Sequence, residues 1–373
     1  MFYRVSIRCL LAFAVGVLLL IAFVLCNGHS WYPTMSAPMS TPMSTPISTN
    51  YEQRANGDVC VPGLPCVYPE TVDLRLIVLT FNRPKSLQIM LTSLESLVLD
   101  NHTAALEIFI DRNKDGVLHN ETVRVVESFT WSLGQQRVHL QKEHVGIYGQ
   151  WIDTWRPSPQ SDELAIILED DVDLSPFAYR WLRRSHQVHG DKTLLSGYCL
   201  QDSNVRIVQG KQIHKEVNQV NRDLLKKYPA YLFRVAGSWG FAPHPKQWSK
   251  FQDWFHSDAK ALQHPYVARA QLNSNWYKTF ERQHREDSMW TMWFIYFTDQ
   301  RNLSALVSNV PLYTGQKSNS VSCNRVEPGL HFKARRRKIK CQNMLMKTWS
   351  DSFISSSGEL PLIDYNGEFV GFR

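Results

Sequence analysis

The sequence predicts a mixed α/β protein in which helices cover both faces of a mostly parallel sheet, with an N-terminal transmembrane helix in addition. Continuous apolar runs of strand length recur along the chain, which is typical of buried parallel strands. Segments whose apolar residues have helical spacing alternate with these runs, and this order favours an α/β sheet. An uninterrupted apolar run over residues 9–26 predicts the transmembrane helix.

The charges around the apolar run predict its orientation. Arg4 and Arg8 precede the run, and no Lys or Arg closely follows it. Positive charge favours the cytosolic side, so we expect residues 1–8 to be a cytosolic tail and the remaining chain to be lumenal. A cleaved signal peptide is the alternative, but its apolar core is usually shorter and no small-residue cleavage site follows residue 26. The run is therefore predicted to be a single-pass type II signal-anchor.

A repetitive segment follows the anchor. Residues 36–49 repeat a unit of Pro, Ser/Thr and Met or Ile, and proline at this density prevents both helix and sheet. Ser/Thr with Pro is typical of an O-glycosylated stalk, and a plain flexible linker is the alternative. We expect a lumenal stem over residues 27–72 and a globular domain over residues 73–373.

Composition narrows the class of protein. Hydrophobic residues make up 43% and charged residues 20%, which excludes a disordered or collagen-like chain. The net charge of +7 could indicate a nucleic-acid partner. The excess positive charge, however, lies at the N-terminus and in residues 333–340, and the rest of the chain is nearly neutral. No basic face is predicted, so nucleic acid is excluded as a partner.

The cysteines and sequons fit a lumenal body. An oxidising lumen favours disulfides, and we expect the pairs Cys60–Cys66 and Cys323–Cys341, with Cys199 as a buried free thiol. Asn-x-Ser/Thr sequons, the acceptors of N-linked glycans, are consistent with the same compartment. They begin at Asn101, Asn120 and Asn302.

The first half of the domain predicts alternating elements. The apolar runs predict strands over residues 74–81, 106–111, 137–142 and 163–170. The intervening segments predict helices that begin at Pro84 and that span residues 121–133, 146–155 and 177–186. Ser175 is predicted as the N-cap of the last helix and Pro176 as its first residue. Ligands of such sheets bind beyond the carboxyl ends of the strands.

An acid cluster directly follows the fourth predicted strand. It consists of Glu169, Asp170, Asp171 and Asp173. Like charges this close are unfavourable and raise one another's pKa, and a divalent cation removes the repulsion. Oxygen ligands suit Mn²⁺ or Mg²⁺, so the acid cluster predicts a metal site. A solvated acidic loop is the alternative.

Three segments resemble a known group of enzymes. Residues 166–182, IILEDDVDLSPFAYRWL, resemble the metal motif of GT-A fold glycosyltransferases, in the Glu-Asp-Asp form of the N-acetylglucosaminyltransferase I group and of glycosyltransferase family 2-like proteins. Residues 76–94, LIVLTFNRPKSLQIMLTSL, resemble the first strand and helix of that fold, and residues 108–116, IFIDRNKDG, resemble its second strand. The resemblance implies a Rossmann-like GT-A catalytic domain. Residues 73–200 would then bind the nucleotide sugar and residues 201–373 the acceptor.

The resemblance also implies roles for residues that would bind the donor and the metal. Asp171 resembles the direct metal ligand, Asp173 forms an alternative Asp-x-Asp register with it, and His331 is a candidate to complete the metal shell. Glu169 and Asp170 would contact the ribose or the donor sugar. The remaining residues that would contact the nucleotide are Asn82, Arg83 and Asp111.

The resemblance further implies a general base and a reaction. Inverting members use a carboxylate before a helix of the second half, and here Glu286 and Asp287 are the candidates, with Asp287 preferred. The expected activity is metal-dependent transfer of a sugar from a nucleoside diphosphate, as in a UDP-sugar, to a glycan or glycoprotein in the Golgi lumen, with inversion. A retaining transferase on the same fold is one alternative. A catalytically inactive, membrane-tethered glycan-binding protein is the other.

Overall fold

The computed structural model describes residues 59–61, 63–159, 161–191, 194–201, 221–325, 340–355 and 358–373. They belong to one compact unit, Gln53–Arg373. The predicted transmembrane helix over residues 9–26, most of the predicted stem and His331 lie outside the described residues. Among those described, no helix is both long enough and apolar enough to cross a membrane.

The elements alternate along the chain as the apolar pattern predicts. The strands are β1 (Leu74–Thr80), β2 (Ala104–Ile110), β3 (Gln135–Leu140), β4 (Leu164–Glu169), β5 (Val172–Leu174), β6 (Leu195–Cys199), β7 (Ala230–Phe233), β8 (Phe241–Pro243), β9 (Ser304–Ser308), β10 (Ser322–Asn324), β11 (Pro361–Ile363) and β12 (Phe369–Phe372). The helices are α1 (Pro84–Leu94), α2 (Asn120–Glu127), α3 (Gly146–Ile152), α4 (Ala178–His189), α5 (Pro245–Ser257), α6 (Gln271–Arg282), α7 (Thr291–Gln300) and α8 (Val310–Thr314).

Ten of the strands form one sheet in the order β12-β11-β7-β9-β6-β8-β4-β1-β2-β3. Strands β3, β2, β1 and β4 are all parallel. Beyond β4 the sheet is mixed, because β8 pairs antiparallel with both β4 and β6 while β6 pairs parallel with β9. A mixed α/β fold with a large central sheet is therefore confirmed, and the sheet runs through both predicted halves of the domain.

Side chains of the central strand β1 alternate between two hydrophobic cores. Leu74, Leu76 and Val78 pack in one core with α1 and α4. Ile77 and Leu79 pack in the other core with α3, α5 and α7. Successive side chains of a strand point to opposite faces, so this division shows that helices cover both faces of the sheet. It also explains why the sequence of β1 is continuously apolar rather than alternating.

One helix is shorter than its sequence pattern predicts. The apolar spacing predicts a helix over residues 121–133, but α2 ends at Glu127. The chain then turns so that the indole of Trp131 is buried, where its Nε1 donates a hydrogen bond to the Leu94 carbonyl oxygen at 3.3 Å. Burial of Trp131 therefore ends the helix.

The predicted cap of α4 is wrong by two residues. The helix begins at Ala178 with Phe177 as its N-cap, so Ser175 and Pro176 precede it. The Ser175 hydroxyl accepts a hydrogen bond from the Phe177 N–H at 3.0 Å and donates one to the Met346 carbonyl oxygen at 2.9 Å. It thus ties the turn to the C-terminal part of the chain.

The globular body begins before residue 73. Cys66 and Tyr68, within the predicted stem, are buried, and the Tyr68 hydroxyl donates a hydrogen bond to the Thr154 carbonyl oxygen at 2.8 Å. Both predicted disulfides, Cys60–Cys66 and Cys323–Cys341, are present. Cys199 is a buried free thiol, as predicted.

A buried arginine lies at the amino end of β1. The Arg75 guanidinium is 0% exposed and makes ion pairs with Glu107 at 2.6 Å and with Glu163 at 2.8 Å. It also packs over the Tyr68 ring, 3.9 Å from the ring centre. We call Arg75, Glu107 and Glu163 the Arg75 cluster. It links β1, β2 and the start of β4 at the amino edge of the sheet.

Candidate active site at the carboxyl edge of the sheet

The strand order places a switch point between β1 and β4, and we call the space beyond the carboxyl ends of these two strands the crevice. Chain order reverses there, because β2 and β3 lie on one side of β1 and β4 lies on the other. In open α/β sheets, ligands bind at such a switch point, outside the carboxyl ends of the strands. The residues that follow β1 and β4 are Arg83 and the acid cluster, so the sequence places its most polar segment at this point.

Arg83 joins the two strand ends. Its guanidinium makes ion pairs with Asp170 at 2.5 Å and with Asp171 at 3.2 Å. The Thr80 hydroxyl, at the end of β1, donates a hydrogen bond to the second Asp170 oxygen at 2.8 Å. Asp170 is 2% exposed, whereas the Arg83 side chain is 36% exposed. The arginine therefore covers buried carboxylates from the solvent side.

Strand β10 approaches the acid cluster from the far end of the chain. The Asn324 side-chain amide donates a hydrogen bond to Asp171 at 3.0 Å. The buried Arg325 makes an ion pair with Asp173 and donates to the Asp170 carbonyl oxygen at 2.7 Å. The Cys323–Cys341 disulfide holds the same strand. Asp173 thus binds an arginine in this structure.

Burial and mutual repulsion disfavour the ionised forms of the carboxylates in the acid cluster. Burial, followed by repulsion from Asp171, raises the pKa of Glu169 to about 7. Burial also raises the pKa of Asp170 to about 6, although Arg83 lowers it in part. The Trp151 indole N–H donates to Glu169 at 3.3 Å. A cation that entered here would relieve this repulsion.

The acid cluster has the chemistry of a hard-cation site but not a complete set of ligands. Among the residues that the structure describes, no three His, Cys, Asp or Glu side chains converge closely enough to hold a metal ion. Magnesium-like ions, however, are commonly bound through one or two carboxylates together with substrate phosphates. Asp171 fits that pattern because its carboxylate pairs with the partly exposed Arg83 at 3.2 Å, and a cation could replace this arginine. The metal-ligand roles of Asp171 and Asp173 stay predictions, and His331 lies outside the described residues.

Asp111 and Asn82 flank the crevice in different ways. Asp111 is 5% exposed, and its carboxylate accepts hydrogen bonds at 3.0 Å from the backbone N–H groups of Val145 and Gly146. It therefore ties the end of β2 to the start of α3. Asn82 is exposed beside Arg83. The predicted contacts of Asp111 and Asn82 with a nucleotide stay predictions.

Two stacked tryptophans lie between the acid cluster and the segment that carries the predicted base candidates. Glu286 and Asp287 form a short 3-10 helix, Glu286–Ser288, before α7. The Tyr148 hydroxyl of α3 donates to the Glu286 carbonyl oxygen at 2.9 Å. Trp151, which contacts Glu169, stacks on Trp290 with ring centres 4.5 Å apart. The structure thus brings this segment of the second half to the carboxyl edge of the first.

Sequence reasoning missed three groups that shape the site. Thr80, Asn324 and Arg325 all contact the acid cluster, and the last two lie more than 150 residues along the chain from it. The short segment Ser322–Asn324 carries no distinct strand pattern of its own. Its cysteine, paired across the loop with Cys341, was the only signal that this segment is fixed.

Comparison with known proteins adds little. No family model matches the chain, and no curated protein matches it significantly. Among solved structures, it is similar to a mannosyltransferase from Pyrobaculum calidifontis in complex with GDP-mannose and Mn²⁺, with 10% identity and a TM-score of 0.32. The match covers 66% of this chain and 74% of that one. At such low identity and loose superposition, residue roles do not transfer from that enzyme to this chain.

Proposed function

We propose that this protein is a glycosyltransferase that uses a nucleoside diphosphate sugar, with the donor's diphosphate bound at the crevice between β1 and β4. One observation supports the proposal above the others: Arg83 and the acid cluster meet at the switch point of an α/β sheet. A guanidinium fork suits phosphate oxygens, and carboxylates suit a divalent cation that accompanies them.

The residues at the crevice have separable tasks. Arg83 is the partner that would exchange, because its partly exposed guanidinium can leave Asp170 and Asp171 for the anionic diphosphate. Thr80 and Arg325 hold the Asp170 turn through both its side chain and its backbone. Bound Mn²⁺ or Mg²⁺, held by Asp171 and the donor's phosphates, would neutralise the charge that develops on the leaving diphosphate.

The acceptor hydroxyl must lose its proton as the new bond forms. Asp287 is the proposed general base and Glu286 is its alternative, since the 3-10 helix that carries both is held against α3 at the same edge of the sheet. A positioned base contributes about 10²–10⁴-fold in rate. A base on the acceptor side implies direct displacement, and hence inversion at the anomeric carbon.

The sequence and the disulfides support a proposed location for the protein. The apolar run over residues 9–26, with Arg4 and Arg8 before it, supports a type II anchor. Two disulfides support an oxidising compartment for the body. The proposed site of action is the Golgi lumen, and the acceptor is a glycan or glycoprotein.

Thermal unfolding of the purified full-length chain in detergent tests this function. Uridine, guanosine and cytidine nucleotide sugars are added one at a time, with Mn²⁺ or with a chelator, and released nucleotide is measured in parallel. We expect one donor class to raise the melting temperature and to be hydrolysed only with Mn²⁺. Asp171→Asn should lose both effects, and Asp115→Asn, at an exposed turn, should keep both. No response to any donor would contradict the proposal.

A further inference from the structure

A second concave site lies at the amino edge of the sheet. Its cavity has a volume of about 500 Å³ and is lined by α4, by the loop before β2 and by the chain around Trp349. The loop residue Asp100 precedes β2, whereas Asp111, near the proposed active site, follows the strand. At about 3.4 Å per residue, the seven residues of β2 separate the two sites by roughly 20 Å. The cavity is therefore distinct from the crevice.

Ion pairs and rings fix the walls of this cavity. The Arg180 guanidinium pairs with both Asp100 oxygens, one of them at 2.8 Å. The same guanidinium lies over the rings of Phe177 and Trp349, at 5.2 Å and 5.5 Å from their centres. The planar groups of three separate segments are therefore held in place before any ligand binds.

Polar contacts also fix the wall around Trp349. The Trp349 indole N–H donates a hydrogen bond to Asp351 at 3.0 Å, which fixes the orientation of a partly buried ring. Arg184 lies 3.9 Å from the same carboxylate, and its side chain is 54% exposed. Arg184 and Asp351 thus present a donor group and an acceptor group side by side next to an aromatic face.

Every arginine of the wall has an acid within ion-pair distance, although one of these acids, Asp73, lies outside the lining. Each of its arginines has an acid nearby: Arg180 has Asp100, Arg184 has Asp351, and Arg183 has Asp73 at 3.6 Å. A strongly charged ligand would have to break these pairs, whereas a neutral polar ligand can bind beside them. Neighbouring hydroxyls can donate to a carboxylate and accept from a guanidinium at the same time. The apolar C–H face of a sugar ring can pack on the indole.

We propose that this cavity binds a neutral saccharide. Its volume of about 500 Å³ lies within the range of small-ligand pockets. The mixture of one aromatic face with paired guanidinium and carboxylate groups matches a polyhydroxyl ligand better than a lipid or an apolar peptide. The proposal does not depend on the proposed donor site.

A candidate source of the saccharide belongs to the chain itself. Asn101, the first residue of a sequon, lies between the cavity residues Asp100 and His102, is exposed, and has a positive φ of 65°. An N-linked glycan on Asn101 would begin at the rim of the cavity. A free glycan is the other source of the same chemistry, and the experiment separates the two.

Calorimetric titration of the full-length protein tests the site. The protein is made in a eukaryotic secretory host, part of it is enzymatically deglycosylated, and N,N′-diacetylchitobiose, mannobiose and lactose are the probes. We expect at least one probe to bind, and Trp349→Ala to weaken that binding by about tenfold or more. Trp276→Ala is the matched control, since Trp276 is an exposed tryptophan on α6. Hydrolysis of the donor should be the same in both variants.

The Asn101→Gln variant identifies the source. If the chain's own glycan fills the cavity, the probe binds to Asn101→Gln and to deglycosylated protein but not to the glycosylated protein, and Asn302→Gln behaves like the unmodified sequence. If free glycans are the ligands, the probe binds with or without the Asn101 glycan. Both results support the proposal.

Three results would overturn the saccharide site. One is that none of the three probes binds to the deglycosylated protein. Another is that Trp349→Ala and Arg184→Ala bind the probe as tightly as Trp276→Ala does. The third is that only inorganic sulfate or a heparin disaccharide binds, which would make the cavity an anion site.

Discussion

Two groups of arginines and acids lie at opposite ends of the same strands, and they differ in what they leave open. In the Arg75 cluster, the arginine is fully buried, and each Glu163 oxygen accepts at least two hydrogen bonds. In the acid cluster, Arg83 is 36% exposed and covers Asp170, whose pKa burial raises to about 6. The first arrangement is complete without a ligand. In the second, Arg83 and the carboxylates can exchange their ion pairs for contacts with a ligand.

The two clusters show how a structural ion cluster differs from a candidate binding site. Both contain arginine, and both contain crowded acids. A buried pair whose partners are all satisfied fixes the fold. A pair that can open to solvent, with titration near neutral pH, is a functional-site candidate. Substitutions in the two clusters separate these two cases.

The largest expected effect is on stability at the Arg75 cluster. Arg75→Met leaves Glu107 and Glu163 buried without their shared cation, so the free energy of unfolding should fall by about 3–5 kcal/mol. Donor hydrolysis per folded molecule should be unchanged. Urea denaturation measures the loss, with Arg282→Met on α6 as an exposed control that changes stability by less than about 0.5 kcal/mol. An Arg75→Met protein as stable as this control would mean that the cluster is not structural.

The next effect is on catalysis at the acid cluster. Asp171→Asn keeps the shape of the side chain and its hydrogen bond with Asn324 but removes the charge opposite Arg83. We expect the kcat/KM for the donor to fall by about 10²–10³-fold, as for loss of one group that stabilises transition-state charge. The melting temperature should change little. Steady-state hydrolysis measures the effect, and the proposed role of Asp171 fails if the variant retains full activity.

A smaller effect is expected for the arginine that covers the acids. Arg83→Gln should raise the Kd for the donor by about tenfold, because one charge-assisted contact to the diphosphate is lost. The free energy of unfolding should fall by less than in Arg75→Met, because the Arg83 side chain is 36% exposed and Thr80 and Asn324 still donate to Asp170 and Asp171. Lys85→Gln is the matched control, as it removes the same charge from an exposed residue of the same segment. Equal donor affinities for the two variants would show that Arg83 has no special role.

The smallest effect is a pH dependence of stability. The pKa of Glu169 is raised from 4.5 to about 7 by burial and by Asp171. Between these values the folded protein retains a proton that the unfolded chain has released, so this group lowers stability as the pH rises. In Glu169→Gln that component is absent, so between pH 4.5 and about 7 the decline should be shallower by about 1 kcal/mol per pH unit. Urea denaturation at several pH values compares the two, and parallel slopes would contradict the raised pKa.

The sequence predicts well those features that depend on neighbouring residues, namely the strands, the helices and the acids at a strand end. The run that ends at Glu169 indicates a buried strand because its residues are all apolar, and acids at such an end mark the carboxyl edge of the sheet. The parallel direction of the first four strands follows from their alternation with helices. These features depend on neighbouring residues, so one sequence is enough to identify them.

Contacts between residues that are distant in the sequence could not be predicted. Arg75 interrupts an apolar strand, and only the fold shows that Glu107 and Glu163 come together on it. Asn324 and Arg325 reach the acid cluster because β10 pairs antiparallel with β5. The two strands are far apart in the sequence, so no hairpin turn signals this pairing. Such pairings depend on packing between distant segments rather than on local periodicity. Mixed pairing beyond β4 was missed for the same reason.

The most direct test of the central claim is a crystal structure of the protein with Mn²⁺ and the donor identified by thermal unfolding. The account predicts that the diphosphate lies at the carboxyl ends of β1 and β4, that Arg83 has moved from Asp170 and Asp171 to a phosphate oxygen, and that Asp171 binds the ion. A donor bound elsewhere, with Arg83 still paired to both acids, would contradict it.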